Sequence, residues 1–431
     1  MACTGSGVQI PSAPQTNMNL KYIREIFNQT KDLIGSQSGI AIISIIQVPY
    51  VVKQLGPSKY GAVVILIAVA SLIFRATHSN NSDAHLLALK EGRSFSTESL
   101  FFNLLTGLIS FFICILFFSN SIILNSSIGD YFSAEILTSS LILYLCSRVV
   151  QTFSETAKAL LIFKNELRKY SFLEFSTVCV RFFAIIILLF NNPSVENYLI
   201  AQSIYGFTYG ILGIFLVYKY EKIINFNVVN LKEYFELIKP SYKKIRYDQI
   251  IGLVPQHFDV ILLGIIIDIQ AVGIYQFAKR LVEPINYLVV TFNPWLQSQL
   301  KTKPNEFKIN TFFKQILVPI FIFLGLMYSV FGDKLILIFA NTDFLNSYRP
   351  MLILFMGFST YLLTFWIRQL LLFNDLIEYH AYGRIIYSLV FLVLAIFLGK
   401  AYSASGIATA LSIAMILQKA FEYLIYRKKI K

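Results

Sequence analysis

The chain carries no charged residue between Glu98 and Asp130, and most of the residues that follow Glu98 are apolar. A helix crosses the hydrocarbon core of a bilayer when about 20 consecutive residues are mostly apolar. Because lipid offers no partner to backbone polar groups, only helices and closed barrels span membranes. Twelve segments meet the helical criterion, and we predict spans at 33–53, 59–78, 99–119, 134–154, 171–191, 197–218, 247–267, 271–295, 312–332, 350–372, 380–399 and 402–426.

The basic residues alternate between successive loops. With the N-terminus on the cytoplasmic side, 25 of the 37 lysine and arginine residues fall in inner loops and 5 in outer loops. Cytoplasmic loops of membrane proteins carry such an excess. A wrong number of helices would scramble the alternation, so we predict twelve spans with both termini cytoplasmic. The asymmetry also explains the net charge of +13 without a nucleic-acid partner.

The composition and the short motifs exclude several other classes of protein. Only 14% of the residues are charged, against about 25% in soluble domains, which indicates an all-α polytopic membrane protein. The four cysteines form no CxxC pair and the four histidines show no ligand spacing, so we predict neither a disulfide nor a metal site. The sequence has no Walker A loop and no evident nucleophile–base pair. We therefore predict no cofactor and no enzymatic activity.

The longest hydrophilic connection divides the spans into six and six. We predict a disordered or misassigned start at 1–17, an N-terminal lobe at 18–218, a cytoplasmic linker at 219–246 and a C-terminal lobe at 247–431. The linker contains "LKEYFELIKPSYKKI", which mixes apolar and basic residues. This pattern suits an interfacial helix against anionic lipid, although a solvated linker would also fit it.

A weak internal repeat relates the two lobes. The first span leads into "VVKQLGPSKYGAVVIL" and the seventh into "LLGIIIDIQAVGIYQFA", which aligns Gly61 with Gly273. Each stretch is an apolar helix, a short turn, and then a glycine and an aromatic residue that open the next helix. Both turns fall on the predicted outer side, so the repeats would share one orientation about an axis along the membrane normal.

Three stretches of the chain resemble the Wzx-type polysaccharide flippases. They are the start "MNLKYIREIF", the helix and turn "GSQSGIAIISIIQVPYVVKQLGPSKYGAVVIL" that follow it, and "HFDVILLGIIIDIQAVGIYQFAKRLVEPI" in the second half. These flippases belong to the superfamily of the MATE drug exporters and the lipid II flippase. The resemblance covers residues 18–431. It implies two six-helix lobes around a central cavity that opens alternately to each side of the bacterial inner membrane.

The resemblance also implies the substrate and the partners. The substrate would be an undecaprenyl-pyrophosphate-linked oligosaccharide, such as an O-antigen unit, which is moved from the inner to the outer leaflet. Membrane lipids, a polysaccharide polymerase and a chain-length regulator would be its partners.

Apart from the residues counted with the loops, seven basic residues fall inside the predicted spans: Arg75, Arg148, Arg181, Lys279, Arg280, Arg368 and Lys419. A charged side chain at the centre of a membrane helix costs roughly 2.5–3.5 kcal/mol on insertion scales. Its presence therefore indicates a function or a partner of opposite charge. A pyrophosphate needs such cations, and arginine binds phosphate through paired hydrogen bonds. We predict that the first six bind substrate.

The alternatives differ among these residues. Arg148 and Arg181 could instead form ion pairs between helices. Near the predicted inner ends of their spans lie Arg75, Arg368 and Lys419. Their alternative role is to extend a long side chain to the lipid headgroups. Lys279 and Arg280 would lie at the outer surface if their helix began near residue 284.

The acidic residues that we assign to the interior of the spans are Glu174, Asp259 and Glu283. A buried carboxylate can carry a proton or bind Na⁺, so these residues are candidates for ion coupling. The alternative role for Asp259 is a partner for Lys279 or Arg280.

Rival functions fit the pattern less well. A MATE-like exporter of cationic drugs would want an acidic cavity, whereas basic residues outnumber these acids by seven to three in the predicted spans. A polymerase or glycosyltransferase would need a large outer loop, and the outer connections are short. A scaffold without transport activity would have no use for buried charges.

Overall fold

The computed structural model describes residues 20–78, 82, 85, 88–89, 95–119, 139–164, 166–221, 230–239, 251, 254–283, 286, 309–374 and 376–429. The predicted start at 1–17 lies outside the described residues, as do the first residues of the predicted fourth and seventh spans and the end of the eighth. Within these ranges the chain is helical, and no strand occurs in them.

The described part of the chain consists mainly of twelve α-helices and one 3₁₀ turn. In chain order they are α1 (Leu20–Thr77), α2 (Ser96–Phe118), α3 (Ser140–Gln151), α4 (Phe153–Phe163), α5 (Leu167–Asn191), α6 (Val195–Tyr220), α7 (230–239), α8 (Val254–Ile266), α9 (Ile269–Val282), α10 (Ile309–Phe339), the 3₁₀ turn (Thr342–Ser347), α11 (Tyr348–Phe373) and α12 (Ile377–Lys429). Each of the twelve predicted spans overlaps one of these helices.

The 58 residues of α1 form two antiparallel arms, not one rod. Gly56 interrupts the helix with φ 69° and ψ 173°, a left-handed conformation that glycine adopts without strain. Ser44 and Ala68 line the same cavity, although a continuous helix would separate them by about 36 Å. The chain therefore reverses at Gly56, where the sequence predicts the first turn between spans.

A second reversal divides α12 at Ser403, which has φ 52°. A Cβ added to Gly406 would overlap the carbonyl oxygen of Leu398, so the arms that leave the turn are in backbone contact. Further along the hairpin, the Nδ1 atom of His380 lies 2.9 Å from a carboxylate oxygen of Glu422. These 42 residues would extend about 63 Å in a straight helix.

Seven helices in the described ranges are long and apolar enough to cross a membrane, and α1 and α12 are two of them. Because each of these two folds back on itself, the chain is a multi-pass membrane protein. Helices α8 and α9 have 13 and 14 residues, which is why they do not meet the length criterion alone.

Two helices continue past the predicted ends of their spans. The fourth span was expected to end at residue 154, whereas its helix α3 breaks at Thr152 and is followed by α4 up to Phe163. The hydroxyl of Thr152 donates to the Val149 carbonyl at 2.6 Å, a local bond that competes with the helical ladder. The ninth was expected to end at residue 332, whereas α10 continues through Asp333 to Phe339.

Glycines bring α6 against α3 and α4. A Cβ at Gly210 would overlap the carbonyl of Val150, and one at Gly213 would lie 2.8 Å from the Cα atom of Ser154. A Cβ at Gly206, one turn earlier, would lie 2.7 Å from the hydroxyl oxygen of Ser147, which is on the preceding turn of α3. Small residues at this spacing allow helix backbones to approach closely, so the pair Gly206 and Gly210 serves packing within one chain.

Helix α7 lies within the predicted linker and is anchored to the N-terminal half. Its Tyr234 is fully buried and its Ile238 nearly so, in a cluster with Ala88 and Phe95. Lys232 on the opposite side is exposed. The apolar face of this amphipathic segment is therefore used against protein.

Candidate substrate cavity

A cavity of about 590 Å³ lies between the two halves of the chain. The first half contributes α1, α5 and α6 to its wall, and the second contributes α8, α9, α11 and α12. Apart from its charged residues, its polar lining consists of Ser44, Gln47, Tyr60, Tyr198, Gln202, His257, Gln276 and Asn286. The sequence predicts a central cavity, and the described residues enclose one.

Four of the six predicted substrate-binding cations line this cavity: Arg75, Arg181, Lys279 and Arg280. They come from α1, α5 and α9, so the positive charge is contributed by both halves. Glu283 is the acidic residue that reaches the wall among the described residues. The cavity therefore has a net positive lining, which favours an anionic occupant.

Lys279 is held by a buried carboxylate. Its Nζ atom lies 2.5 Å from an oxygen of Asp259, whose side chain is 1% exposed, whereas that of Lys279 is 17% exposed. The same oxygen accepts the hydroxyl of Tyr275 at 2.7 Å, and the other oxygen accepts the backbone N–H of Val260. Asp259 thus has the partner that the sequence offered as its alternative role, and Lys279 keeps one side towards the cavity.

Arg280 and Glu283 form a second pair at the cavity wall. Their charged atoms lie 2.5 Å apart, one turn apart on α9 and its C-terminal end. Helix α9 begins at Ile269 and not near residue 284, so Arg280 lies in its fourth turn.

Arg181 and Arg148, for which ion pairs between helices were the alternative role, have different surroundings. Arg181 lies over the ring of Tyr205 at 5.1 Å and also faces the cavity. Arg148 bonds Gln151 at 2.7 Å and lies 5.7 Å from the ring of Phe74. Arg148 and Arg368 are not among the described residues that line the cavity.

Glu174 belongs to a separate cluster in the N-terminal half. Lys158 lies 3.3 Å from both Glu155 and Glu174, and the hydroxyl of Tyr209 donates to Glu174. Lys158 was expected in an inner loop, but it lies on α4 because that helix is longer than its apolar segment. The lining of the cavity, as far as it is described, does not include Glu174.

The count of three acidic residues in the spans missed Glu422, which is fully buried on α12, and also Glu135 and Asp248, which lie outside the described residues. Lys419 pairs with Glu422 at 2.7 Å and has a side chain that is only 3% exposed, so it does not extend to the headgroups. The spacing of three residues in "QKAFEY" was a usable signal, because side chains at i and i+3 meet on one helix face. The contribution of His380 from the other arm could not be seen in the sequence.

A smaller apolar cavity of about 170 Å³ adjoins the main one between α1, α9 and α10. It shares Ser44, Val48, Arg280 and Glu283 with the cationic cavity. The rest of its wall is mainly apolar, with Tyr328 supplying a hydroxyl that donates to the Leu281 carbonyl. A charged space and an apolar space thus meet at Arg280.

The polysaccharide biosynthesis protein family matches residues 30–294, which is more than half of the chain. The chain belongs to this family. The resemblance to polysaccharide flippases in the sequence is therefore confirmed at the level of the family. Among curated proteins, no sequence matches significantly.

Solved structures show the same fold at low identity. The lipid II flippase MurJ in an inward closed conformation matches with a TM-score of 0.70 and 17% identity, covering 93% of this chain and 88% of that one. An inward-facing MATE family transporter of the MOP superfamily matches with a TM-score of 0.70 and 12% identity, covering 91% and 94%. A mutant of the Vibrio cholerae MATE transporter VcmN matches at 0.58 and 12%, covering 95% and 97%.

Proposed function

We propose that this protein is a flippase for undecaprenyl-pyrophosphate-linked oligosaccharides, which it moves from the inner to the outer leaflet of the bacterial inner membrane. The observation that carries this proposal is the meeting of four basic side chains from both halves in one cavity. We further propose twelve membrane crossings with both termini cytoplasmic, because the helical hairpins of α1 and α12 supply the turns that this arrangement needs.

Each part of such a substrate has a matching part of the cavity. Arg181 and Lys279 are suited to the pyrophosphate, because charge-assisted hydrogen bonds to phosphate are short and strong. Glutamines such as Gln202 and Gln276 offer donors and acceptors to sugar hydroxyls. The apolar cavity beside Arg280 is suited to the first part of the polyprenyl chain, next to the charged headgroup.

The pair of Lys279 and Asp259 offers a way to couple substrate to an ion. A pyrophosphate in the cavity would compete with Asp259 for the ammonium group. Asp259 would then be a buried carboxylate without its cation, and such a group is stabilised by a proton or by Na⁺. Loading of the substrate and of the ion would thereby be linked at Asp259.

The test is complementation in the host from which the gene comes. Deletion is expected to abolish the surface polysaccharide and to leave single lipid-linked units in the inner leaflet. Wild type should restore export, Arg181→Ala should not, and Arg181→Lys should restore it in part because it keeps the charge but not the planar fork. Lys334→Ala, at an exposed position on α10 away from the cavity, is the matched control and should behave as wild type.

Unchanged surface polysaccharide with no accumulation of lipid-linked units would refute the flippase function. Export of cationic dyes from cells that express the protein would then support the MATE-like alternative.

A further inference from the structure

A buried ionic cluster lies in the C-terminal half outside the cavity lining. At its centre is Glu422, whose side chain is 0% exposed. One carboxylate oxygen accepts from His380 Nδ1 at 2.9 Å and from Gln418 Nε2 at 2.8 Å. The other oxygen accepts from Lys419 Nζ at 2.7 Å. Two arms of the α12 hairpin are thus joined through one carboxylate.

The geometry fixes the tautomer of His380. An ionised carboxylate can only accept, so Nδ1 of the imidazole is the nitrogen that carries hydrogen. Nε2 is then a lone-pair acceptor. It is buried, and it has no hydrogen-bond partner among the described residues. The side chain is only 6% exposed, so this basic nitrogen lies almost wholly within the protein beside an anion.

The cluster is electrically balanced when His380 is neutral. Glu422 and Lys419 cancel, and the ring of Tyr361 on α11 faces the ammonium group at 5.0 Å. Arg368 on α11 and Arg384 on the first arm of α12 add positive potential from the neighbouring faces. A proton on Nε2 would change the cluster by one positive charge, while the imidazolium would remain hydrogen-bonded to Glu422.

This charge would lie next to the substrate cavity. Lys419 follows Leu411 and Met415 at intervals of four residues along one face of α12, and both of these residues line the cavity. Tyr361 lies one turn after Phe358, which also lines it. The ionic cluster therefore begins one helical turn beyond the cavity wall.

We propose that His380 and Glu422 form a proton-binding site, in which Nε2 of His380 accepts a proton from the aqueous phase and Glu422 neutralises the resulting imidazolium. The ligand is a proton, and no bond other than the new N–H bond is formed in the protein. Its binding adds positive charge at one end of the cavity and so strengthens the binding of an anion there at lower pH. This site is distinct from Asp259, which lies on α8 with its own cation.

The chain has only four histidines, which makes the site directly observable. The full-length protein, labelled with ¹⁵N at histidine and held in lipid nanodiscs, would be titrated between about pH 5 and pH 8, the range in which imidazoles usually change charge. The signal that His380→Gln removes should move from the neutral to the cationic position. His85 is the internal control, because its ring is hydrogen-bonded to the hydroxyl of Ser96 and not to a carboxylate; burial lowers its pKa to about 3, and its signal should stay neutral across that range.

A His380 signal that stays neutral throughout the titration would overturn the proposal, and so would a signal that is cationic throughout. This readout does not depend on transport, so it can succeed or fail independently of the flippase function. A second measurement tests the consequence for the cavity with undecaprenyl pyrophosphate as the probe. Wild type should bind it several-fold more tightly at pH 6 than His380→Gln does, and the two should agree at pH 8. Equal affinities at both pH values would show that the charge does not reach the cavity.

Discussion

Gly61 of α1 and Gly273 of α9 lie against each other in backbone contact. A Cβ at Gly61 would overlap the carbonyl oxygen of Ile269, and a Cβ at Gly273 would overlap that of Pro57. These are the two glycines that the internal repeat aligns, so equivalent positions of the two halves form one seam. The seam borders the cavity, because Tyr60 beside Gly61 and Gln276 three residues after Gly273 line its wall.

Alanine at either glycine should open or strain this seam. We expect Gly61→Ala to destabilise the protein by about 1–3 kcal/mol, because the overlapping atoms are backbone and cannot rotate away. Thermal unfolding in detergent measures the effect. Gly35→Ala is the matched control, since nothing lies within 4 Å of its Cβ position, and it should be neutral or slightly stabilising. Equal effects of the two variants would contradict the contact.

The pair of Lys279 and Asp259 predicts a strong dependence of each residue on the other. Lys279→Met should cost about 3–5 kcal/mol, because it leaves a buried carboxylate without its cation. Asp259→Asn in the same chain should restore much of that loss by removing the charge. A double-mutant cycle on the midpoint of unfolding measures the coupling. Additive losses would show that the two side chains do not interact.

The contact of α6 with α3 predicts that Gly210 tolerates no larger residue. Gly210→Val should prevent accumulation of folded protein in the membrane, because its side chain would overlap the Val150 backbone. Gly325→Ala on α10 is the comparison, since its added Cβ would meet only the ring of Phe355 at 3.2 Å. Size-exclusion chromatography of the solubilised proteins reports the difference. Monodisperse Gly210→Val at wild-type yield would contradict the packing.

Arg181 and Arg148 should differ in their effect on anion binding. Arg181→Ala should weaken binding of undecaprenyl pyrophosphate by about tenfold or more, the equivalent of losing a charged hydrogen bond. Arg148→Ala should change it by less than about threefold, because Arg148 bonds Gln151 and lies outside the described lining. Microscale thermophoresis in detergent gives both constants. A larger loss from Arg148→Ala would mean that it reaches the substrate in another conformation.

The sequence by itself determined the apolar segments, the family resemblance and the alignment of Gly61 with Gly273. These features depend on hydropathy and local spacing, which a helix in lipid has to follow over each 20-residue stretch. Helix ends were less well predicted, as α4 shows, because a helix continues past its apolar segment when charged side chains such as Lys158 find partners.

The tertiary structure alone decided which charges act together. The sequence could not separate Arg181 from Arg148, because the rotation of a mostly apolar helix is set by its neighbours and not by its own composition. It also could not join His380 to Glu422, which lie 42 residues apart and meet only because α12 reverses at Ser403. Buried charges select their partners through contacts between helices, and those contacts exist only once the helices have packed.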